Sequence, residues 1–279
     1  MPELPEVERG RRLAEQVAAG RVIAKVKCAR DPIVFEGVSQ ARWRRALAGR
    51  RVIAVHRRGK HIYFQLDERP WPVFHFGMTG GFVTPDGAAL RLASSPKNDI
   101  ERAWPPRFAK IHLVFDDGGE LVMTNKRRLG RIRLRSDPLS EPPLSGLGFD
   151  PLLDLPSPAS FVELLRRRSA IIKPLLLDQS FAAGVGNSIA DEVLYQAKID
   201  PRRRAASLSE AEAKRVRSCL KRIIEKAVSV DADKKRFPRA WLFHRRWGKN
   251  SEAVTYRGEK IRYITLGGRT TAWVPEVQR

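Results

Sequence analysis

The stretch KPLLLDQSFAAGVGNSIADEVLYQA, residues 173–197, combines a short apolar helix, a glycine turn and a second helix that begins near Asn187. Glycines such as Gly186 allow another backbone to approach closely, and the unpaired N–H groups at a helix N-terminus bind phosphate. The spacing fits a helix-two-turn-helix clamp on a DNA backbone. This stretch therefore predicts a helical, DNA-binding domain.

The segments around this stretch predict an α+β fold. Apolar periodicity predicts helices at 159–168, 173–178, 187–197 and 208–228. A helix over 5–19 opens the chain and is followed by strand-like runs at 22–28, 51–57, 61–66, 72–76, 111–115, 120–124 and 131–135. Many short strands separated by turn signals favour an N-terminal β-sandwich. Near the C-terminus, strands are predicted at 241–247, 260–266 and 269–275, as in a small appended hairpin.

Composition shifts predict the domain boundaries. Residues 137–158 are rich in Pro, Leu, Ser and Gly, which is typical of a linker. The predicted division is therefore a β-sandwich domain at 1–136, the linker, a helical domain at 159–238 and a C-terminal hairpin at 239–279.

Charge indicates the class of partner. The 279 residues carry 53 basic and 31 acidic side chains, a net charge of +22, beside 42% hydrophobic residues. A folded chain this basic is typical of proteins that bind polyanions, and nucleic acid is the leading candidate. Only two cysteines are present, Cys28 and Cys219, which excludes a disulfide framework and a cysteine-rich zinc site within one chain. No apolar run approaches the ~20 residues that span a bilayer, and no signal peptide is evident, so we expect no membrane association.

The N-terminus PELPEVE, residues 2–8, carries the strongest chemical signal. Once Met1 is removed, Pro2 offers a secondary amine that can attack an electrophilic sugar carbon and form an iminium. The helix that begins near Pro5 disfavours the protonated amine. Glu3 can act as a general acid, and Glu6 can accept hydrogen bonds from helix N–H groups. On spacing alone, a proline- and glutamate-rich helix start explains the same residues.

Four further motifs fit DNA contacts, although each alone also fits a solvated turn or a surface charge run. The turn Arg57-Arg58-Gly59-Lys60-His61 presents Lys60 at a hairpin tip, where it can hold a phosphate. Around Met78, the loop HFGMTGG offers a flexible apolar group that can fill the space of an everted base. KRRLGR, residues 126–131, offers one arginine for a base edge, one for phosphate and an apolar wedge. Arg269 follows a Gly-Gly turn and suits a phosphate.

The five histidines show no metal spacing, and His75 is interpreted as a phosphate or core hydrogen-bond partner. We therefore predict no metal site and no cofactor.

Taken together, and in this order, the motifs resemble the formamidopyrimidine-DNA glycosylase family over nearly the whole chain. The segments KPLLLDQ, GVGNSIADEVLYQA, EKAVSVDAD, FHRRWGK and GGRTTAWVPEVQ are similar to its zincless plant and fungal branch. The resemblance implies an N-terminal β-sandwich with a leading helix, a helix-two-turn-helix domain and a C-terminal zincless β-hairpin finger.

The resemblance also implies residue roles. Pro2 would be the Schiff-base nucleophile at C1′, Glu3 would protonate the opening deoxyribose, Lys60 would bind phosphate during β-elimination, and Arg269 would grip DNA at the lesion and assist δ-elimination. Met78, Arg127 and Leu129 would fill the void of the everted nucleotide, with Arg127 facing the orphaned base. The remaining expected DNA contacts are backbone-phosphate ligands and neighbouring positions: Glu6, His75, Lys110, Arg128, Arg168, Lys173, Gly186 and Asn187.

Several positions depart from the family pattern. Zinc-containing relatives carry two cysteine pairs where this chain has Val254, Arg257, Val274 and Val277, so its finger must hold by packing. Trp247, Tyr256, Tyr263 and Trp273 are the expected packing residues. Leu129 stands where phenylalanine is usual and Asn125 where aspartate is usual, so we expect altered discrimination of the opposite base.

The resulting hypothesis is a bifunctional DNA glycosylase/AP lyase that removes oxidised purines, chiefly formamidopyrimidines and more weakly 8-oxoguanine, from duplex DNA. The alternatives are an inactive damaged-DNA-binding protein and a glycosylase that prefers oxidised pyrimidines. An RNA-binding protein would need stacking aromatics on a sheet or an RNA-module signature, and neither is found. We expect a monomer acting on nucleoid DNA in the cytoplasm, since an extension before Pro2 would block its amine.

Overall fold

The computed structural model describes residues 1–87 and 103–279, which divide into two compact units. The first unit contains Met1–Pro2 and Glu6–Gly146, and the second contains Glu3–Pro5 and Leu147–Arg279. The break at 146/147 falls inside the segment predicted to be a linker.

Two four-stranded antiparallel sheets form the first unit. Its strands are β1 (Ile23–Cys28), β2 (Val52–Arg58), β3 (His61–Leu66), β4 (Trp71–His75), β5 (Gly81–Val83), β6 (Ala109–Phe115), β7 (Glu120–Thr124) and β8 (Arg131–Arg135). One sheet has the order β1-β6-β7-β5 and the other β2-β3-β4-β8. The alternating apolar residues that predicted these strands lie in a shared core, with Phe64, Phe74 and Phe82 at its centre. The predicted β-sandwich is confirmed.

Helix α1 (Leu4–Ala18) opens the chain, and its apolar side chains Val7, Ala14 and Ala18 join this core. It ends just before Gly20, whose φ of 80° suits glycine. The sequence interpretation missed α2 (Gln40–Leu47), in which only Trp43 and Leu47 are buried. Strand β5 was also missed, because three residues are too few to show a period.

The second unit is helical. Its helices are α3 (Pro158–Arg166), α4 (Ile172–Leu177), α5 (Asn187–Ala197) and α6 (Glu210–Ser229), close to their predicted positions. Ser209 and Glu212 form a capping box at the start of α6. Apolar faces of all four helices pack around Leu176, Val193 and Leu220.

A two-stranded hairpin, β9 (Arg262–Leu266) and β10 (Arg269–Trp273), follows the helices. The strand predicted at 241–247 is wrong, since Leu242–His244 forms a 3-10 turn instead. Leu242 is buried with the hairpin residues, while Phe243 donates its N–H to Glu192 of α5, so this segment packs on a helix rather than in a sheet.

No helix within the described part of the chain is both long and apolar enough to cross a membrane.

Candidate active site

The carboxylate of Glu3 caps helix α5. It accepts hydrogen bonds from the backbone N–H groups of Ser188 (2.8 Å) and Ile189 (3.0 Å), and the side chain is 6% exposed. These are first-turn N–H groups, which have no partner within the helix. Leu4 N–H also bonds to the Gly184 carbonyl at 3.0 Å. The start of the chain is thereby fixed to the glycine turn of the helical unit.

Glycine at position 186 makes this cap possible. A Cβ added there would overlap the Glu3 carboxyl group, and one added at Gly184 would press on the Leu4 side chain. Gly186 was predicted to allow the approach of a DNA backbone; in the structure it allows the approach of Glu3. Whether Gly186 also contacts DNA stays a prediction.

Pro2 is bonded directly to this fixed residue and is itself buried, whereas Met1 is 42% exposed. An exposed initiator methionine followed by a small residue is accessible to an aminopeptidase. Glu6, in the first turn of α1, is also buried.

Lys60 lies at the tip of the β2–β3 hairpin, as predicted. Arg58 pairs with His61 across a two-residue turn, and Gly59 has the left-handed φ of 57° that such a turn needs. Arg57 secures this tip, because its Nε donates to Glu8 of α1 (3.0 Å) and its Nη1 to the Gly59 carbonyl (3.0 Å). Sequence reasoning missed Glu8, a buried carboxylate that fixes the Lys60 turn against α1.

His75 is a neutral hydrogen-bond donor at physiological pH. Burial, together with nearby Lys60, Arg133 and Arg131, lowers the pKa of His75 to about 4. Its Nδ1 accepts the Gly77 N–H at 3.3 Å, so Nε2 carries the proton. The neighbouring His61 ring lies 4.8 Å away, and desolvation together with the nearby His75, Arg133 and Lys60 lowers its pKa to about 3. His75 therefore suits a phosphate ligand without adding a charge.

The structure brings the two predicted void-filling loops together. Asn125, fully buried, donates from Nδ2 to the Phe76 carbonyl (2.8 Å) and accepts the Gly130 N–H at Oδ1 (3.1 Å). One amide thus joins the loop that carries Met78 to the loop that carries Arg127 and Leu129. The latter two side chains are exposed, Leu129 to 44%. An aspartate would lack the donor, which explains in physical terms why asparagine fits here.

Glycine fits the loop contact for a steric reason. A Cβ at Gly77 would collide with the backbone at Leu129 and Gly130, and one at Gly80 or Gly130 would collide with the Asn125 amide. These three glycines are therefore needed for the two loops to approach each other.

Arg128 and Lys110, both expected to meet phosphate, share one carboxylate. Asp31 accepts Nε and Nη2 of Arg128, each at 3.0 Å, and Nζ of Lys110 at 2.8 Å. The sequence analysis did not identify Asp31, since a single aspartate in a loop carries no pattern.

The expectation for Lys173 is corrected. Its side chain is fully buried and forms an ion pair with Asp191, while Nζ also bonds to the Asn187 carbonyl at 3.2 Å. An ammonium enclosed in this way cannot reach a DNA phosphate. Arg168, by contrast, is exposed just beyond α3 and suits its predicted contact.

Asp191 joins α5 to the C-terminal hairpin. Besides Lys173 it pairs with Arg246, and it accepts the Ala272 N–H at 3.1 Å. Asn187 adds a bond from Nδ2 to the Thr270 carbonyl at 2.8 Å. These contacts hold β10 in place, and Arg269, exposed at its first residue, follows the Gly267–Gly268 turn. Neither Asp191 nor Arg246 was identified from sequence.

The packing expected for the finger is also corrected. Its core is aliphatic, formed by Leu242, Ile261, Ala272 and Val274, with Tyr263 and Val277 beside it. Trp247 and Tyr256 are 46% and 57% exposed, so they do not supply the core. Trp273 is buried at its edge, under the Arg202 guanidinium at 4.4 Å. Among the described residues, no group of three or more His, Cys, Asp or Glu side chains is arranged to hold a metal.

Three family domains match in order: the formamidopyrimidine-DNA glycosylase N-terminal domain at 1–132, its H2TH domain at 147–238, and the formamidopyrimidine-DNA glycosylase-like C-terminal domain at 241–275. The formamidopyrimidine-DNA glycosylase of Arabidopsis thaliana is 44% identical over the whole chain and 71% of its own length. That of Pelobacter propionicus is 31% identical over the full length of both.

Among solved structures, Lactococcus lactis formamidopyrimidine-DNA glycosylase bound to DNA with an AP site has a TM-score of 0.80 and 25% identity over 99% of each chain. These domains and their order define a DNA-repair glycosylase. The chain belongs to the formamidopyrimidine-DNA glycosylase family, and is thus a DNA glycosylase with AP lyase activity. Its similarity to the plant relative agrees with the predicted plant-type branch.

Proposed function

We propose that this enzyme removes oxidised purines, chiefly formamidopyrimidines and more weakly 8-oxoguanine, from duplex DNA, and nicks the strand through a Schiff base on Pro2. The observation that carries the proposal is the fixed N-terminus: Glu3 is held by two helix N–H groups, so the Pro2 nitrogen beside it is held as well. Positioning of a nucleophile in this way removes much of the entropic barrier to attack.

The first step would join the Pro2 nitrogen to C1′ as the bond from C1′ to the base breaks. Glu3 would take up the proton that the Pro2 nitrogen loses and pass it to the ring oxygen as the sugar opens, leaving an iminium between Pro2 and C1′. The base leaves with the electron pair of the glycosidic bond and takes a proton from water. No metal is needed, because the iminium itself is the electron sink.

Successive eliminations would follow from the iminium. Loss of a C2′ proton would break the C3′–O bond, and a second elimination would break the C5′–O bond, releasing both phosphates. Lys60, on its secured turn, and Arg269, at its hairpin tip, would bind these phosphates as they leave. Water would then hydrolyse the remaining iminium and free Pro2.

Support for the substrate comes from relatives. One structural relative is MutM in complex with DNA containing carbocyclic 8-oxo-G, and another is the Lactococcus lactis enzyme with N7-benzyl-Fapy-dG DNA. We assign the same class of partner here: double-stranded DNA with an oxidised base or an abasic site, bound by a monomer on cytoplasmic nucleoid DNA. Met78, Arg127 and Leu129 would fill the space of the everted nucleotide.

We also propose that function divides along the predicted segments. Residues 1–136 would supply the nucleophile and the wedge, 159–238 the helix-two-turn-helix contacts and 239–279 the finger, with 137–158 as a linker.

Borohydride trapping tests the chemistry. The full chain, with Met1 removed, is incubated with duplexes that carry a formamidopyrimidine, 8-oxoguanine, thymine glycol or an abasic site opposite cytosine or adenine. We expect a covalent adduct, most abundant on formamidopyrimidine and abasic duplexes. A form with extra residues before Pro2 should bind DNA but form no adduct.

Glu3→Gln is the matched variant. It keeps one of the two oxygens that accept the α5 N–H groups but cannot carry a proton to the ring oxygen, so we expect loss of base excision while the adduct still forms on abasic DNA. Tight binding by the unmodified chain without an adduct on any duplex would favour the inactive damage-binding alternative. A preference for thymine glycol would favour the oxidised-pyrimidine alternative.

A further inference from the structure

Asp31 lies in the loop after β1 and is only 6% exposed, yet it is not part of any motif described above. Its carboxylate is the shared acceptor for Arg128, through a two-point contact with both bonds at 3.0 Å, and for Lys110 at 2.8 Å. Oδ1 also accepts the Ile33 N–H at 3.2 Å, which fixes the carboxylate to its own loop. Asp31 therefore links three loops or strands that are distant in sequence.

Arg128 lies between Arg127 and Leu129 at the centre of the loop 126–130, called the wedge loop below. Its φ is 54°, a left-handed conformation that is unfavourable for a non-glycine residue unless its surroundings hold it. The inner side of the loop is held by Asn125 through Gly130. On the other side, the contact with Asp31 holds the arginine side chain itself.

We propose that Asp31 is a positioning residue of the wedge loop. Because Asp31 holds the Arg128 side chain, it sets the direction in which Arg127 and Leu129 enter the duplex, and so sets discrimination of the opposite base. The inference rests on the wedge role proposed above for Arg127 and Leu129.

Charge supports this assignment. Burial raises the pKa of Asp31, but the hydrogen bonds from Arg128 and Lys110 outweigh it and hold the pKa well below its usual range. The anchor is thus charged throughout the working pH range. One carboxylate faces two cations, so a net positive charge is left for a DNA phosphate. Asp31 occupies Nε and Nη2 of Arg128, and Nη1 is not among the atoms it holds.

Asp31→Asn tests the contact between Asp31 and Arg128, because it removes the charge while keeping the oxygen that accepts the Ile33 N–H. Asp117→Asn is the matched control: Asp117 pairs with Arg21 at 2.7 Å at the opposite end of the β6–β7 hairpin from Lys110. Both variants lose one negative charge in the same unit; Asp31→Asn gives up two ion pairs, with Arg128 and Lys110, and Asp117→Asn gives up one.

The readout is the fluorescence of 2-aminopurine placed opposite a tetrahydrofuran abasic analogue, which reports insertion of the wedge without any chemistry. It is combined with kcat and KM for excision opposite cytosine and adenine. For Asp31→Asn we expect at least a threefold smaller fluorescence increase, about a tenfold lower kcat with KM changed less than threefold, and a cytosine/adenine ratio closer to one. Asp31→Glu, which restores the charge, should recover part of each.

Asp31→Asn matching Asp117→Asn in fluorescence and in the base ratio would overturn the proposal. So would an equal loss opposite both bases with unchanged fluorescence. If Asp31→Asn does not fold, Asp31→Glu is used for the test. Its longer side chain shifts the contact with Arg128, which must still alter the ratio of excision opposite cytosine to excision opposite adenine. Failure of the proposed function is seen separately, as an unmodified chain that forms no borohydride adduct.

Discussion

Because residue 186 is glycine and has no Cβ, Glu3 can reach the first turn of α5. The carboxyl group occupies the space where any other residue would place its Cβ. Local sequence reasoning could flag this glycine but not its partner, because Glu3 and Gly186 are 183 positions apart and only the fold brings them together.

Gly186→Ala should therefore impair catalysis more than folding. Displacing Glu3 moves the attached Pro2, and we expect about a 100-fold slower single-turnover excision, with Tm lowered only slightly. Gly146→Ala is the control, because a Cβ at Gly146 meets nothing within 4 Å. Equal rates for the two variants would show that the cap does not position the reacting groups.

The sequence identified four candidate catalytic residues, Pro2, Glu3, Lys60 and Arg269, because the residue type alone indicates an amine, an acid or a phosphate-binding group. It misjudged Lys173, because a lysine looks the same whether its partner is a phosphate or a buried aspartate. Glu8, Asp31 and Asp191 were missed because their contacts are with residues 49, 79 and 18 positions away, which no local pattern shows.

Among the elements, the C-terminal finger is the one whose packing differs most from expectation. Val274 is fully buried in its aliphatic core, whereas Val254 is 39% exposed; the resemblance places both at positions of zinc-ligand cysteines in zinc-containing relatives. Apolar packing thus holds the first of these positions, and the second lies outside the core.

Val274→Ala should weaken the finger by about 2 kcal/mol, since it leaves a small cavity in a core of few residues. Faster amide exchange across Arg262–Trp273 would measure this, with Val254→Ala unchanged as the control. EDTA or phenanthroline should alter neither exchange nor excision by the unmodified chain. Inactivation by a chelator, or equal exchange in the two variants, would contradict this account.

Element prediction succeeded where apolar residues alternate or recur every three to four positions, as in β3 and α5. It failed at α2, where four of eight residues are Arg or Gln and burial is limited to Trp43 and Leu47. It failed again at 241–247, where aromatic residues that favour a strand pack around a 3-10 turn. Tertiary contacts outweighed local preference in both segments.

At the scale of the whole molecule, Glu192 makes stability depend on pH. Burial raises the pKa of this carboxyl to about 7, although bonds from Gln196 and the Phe243 N–H oppose the shift. The folded state then binds more protons than the unfolded state between about pH 4.5 and 7. Stability from this group is complete below that window and is lost as pH rises through it.

Glu192→Gln should remove that dependence. Since one pKa unit corresponds to ~1.4 kcal/mol, the free energy of unfolding of the unmodified chain should fall relative to the variant by up to about 3 kcal/mol between pH 4.5 and 8. His61 and His75, whose pKa values are lowered in the folded state, act in the opposite direction below pH 6.5, so the difference in free energy of unfolding between the two proteins is the quantity to follow. Glu225→Gln, at an exposed site on α6, should show no such difference; identical curves for Glu192→Gln would refute the assignment.

The aliphatic finger also bears on how a repair enzyme survives the conditions that create its substrates. Oxidants that damage guanine also attack zinc-bound thiolates, but residues 239–279 contain neither cysteine nor methionine. Of the two cysteines elsewhere, burial raises the pKa of Cys28 to about 12 and also raises that of Cys219, which keeps both as slow-reacting thiols. A finger whose core is leucine, isoleucine, alanine and valine therefore offers an oxidant no sulfur atom to attack.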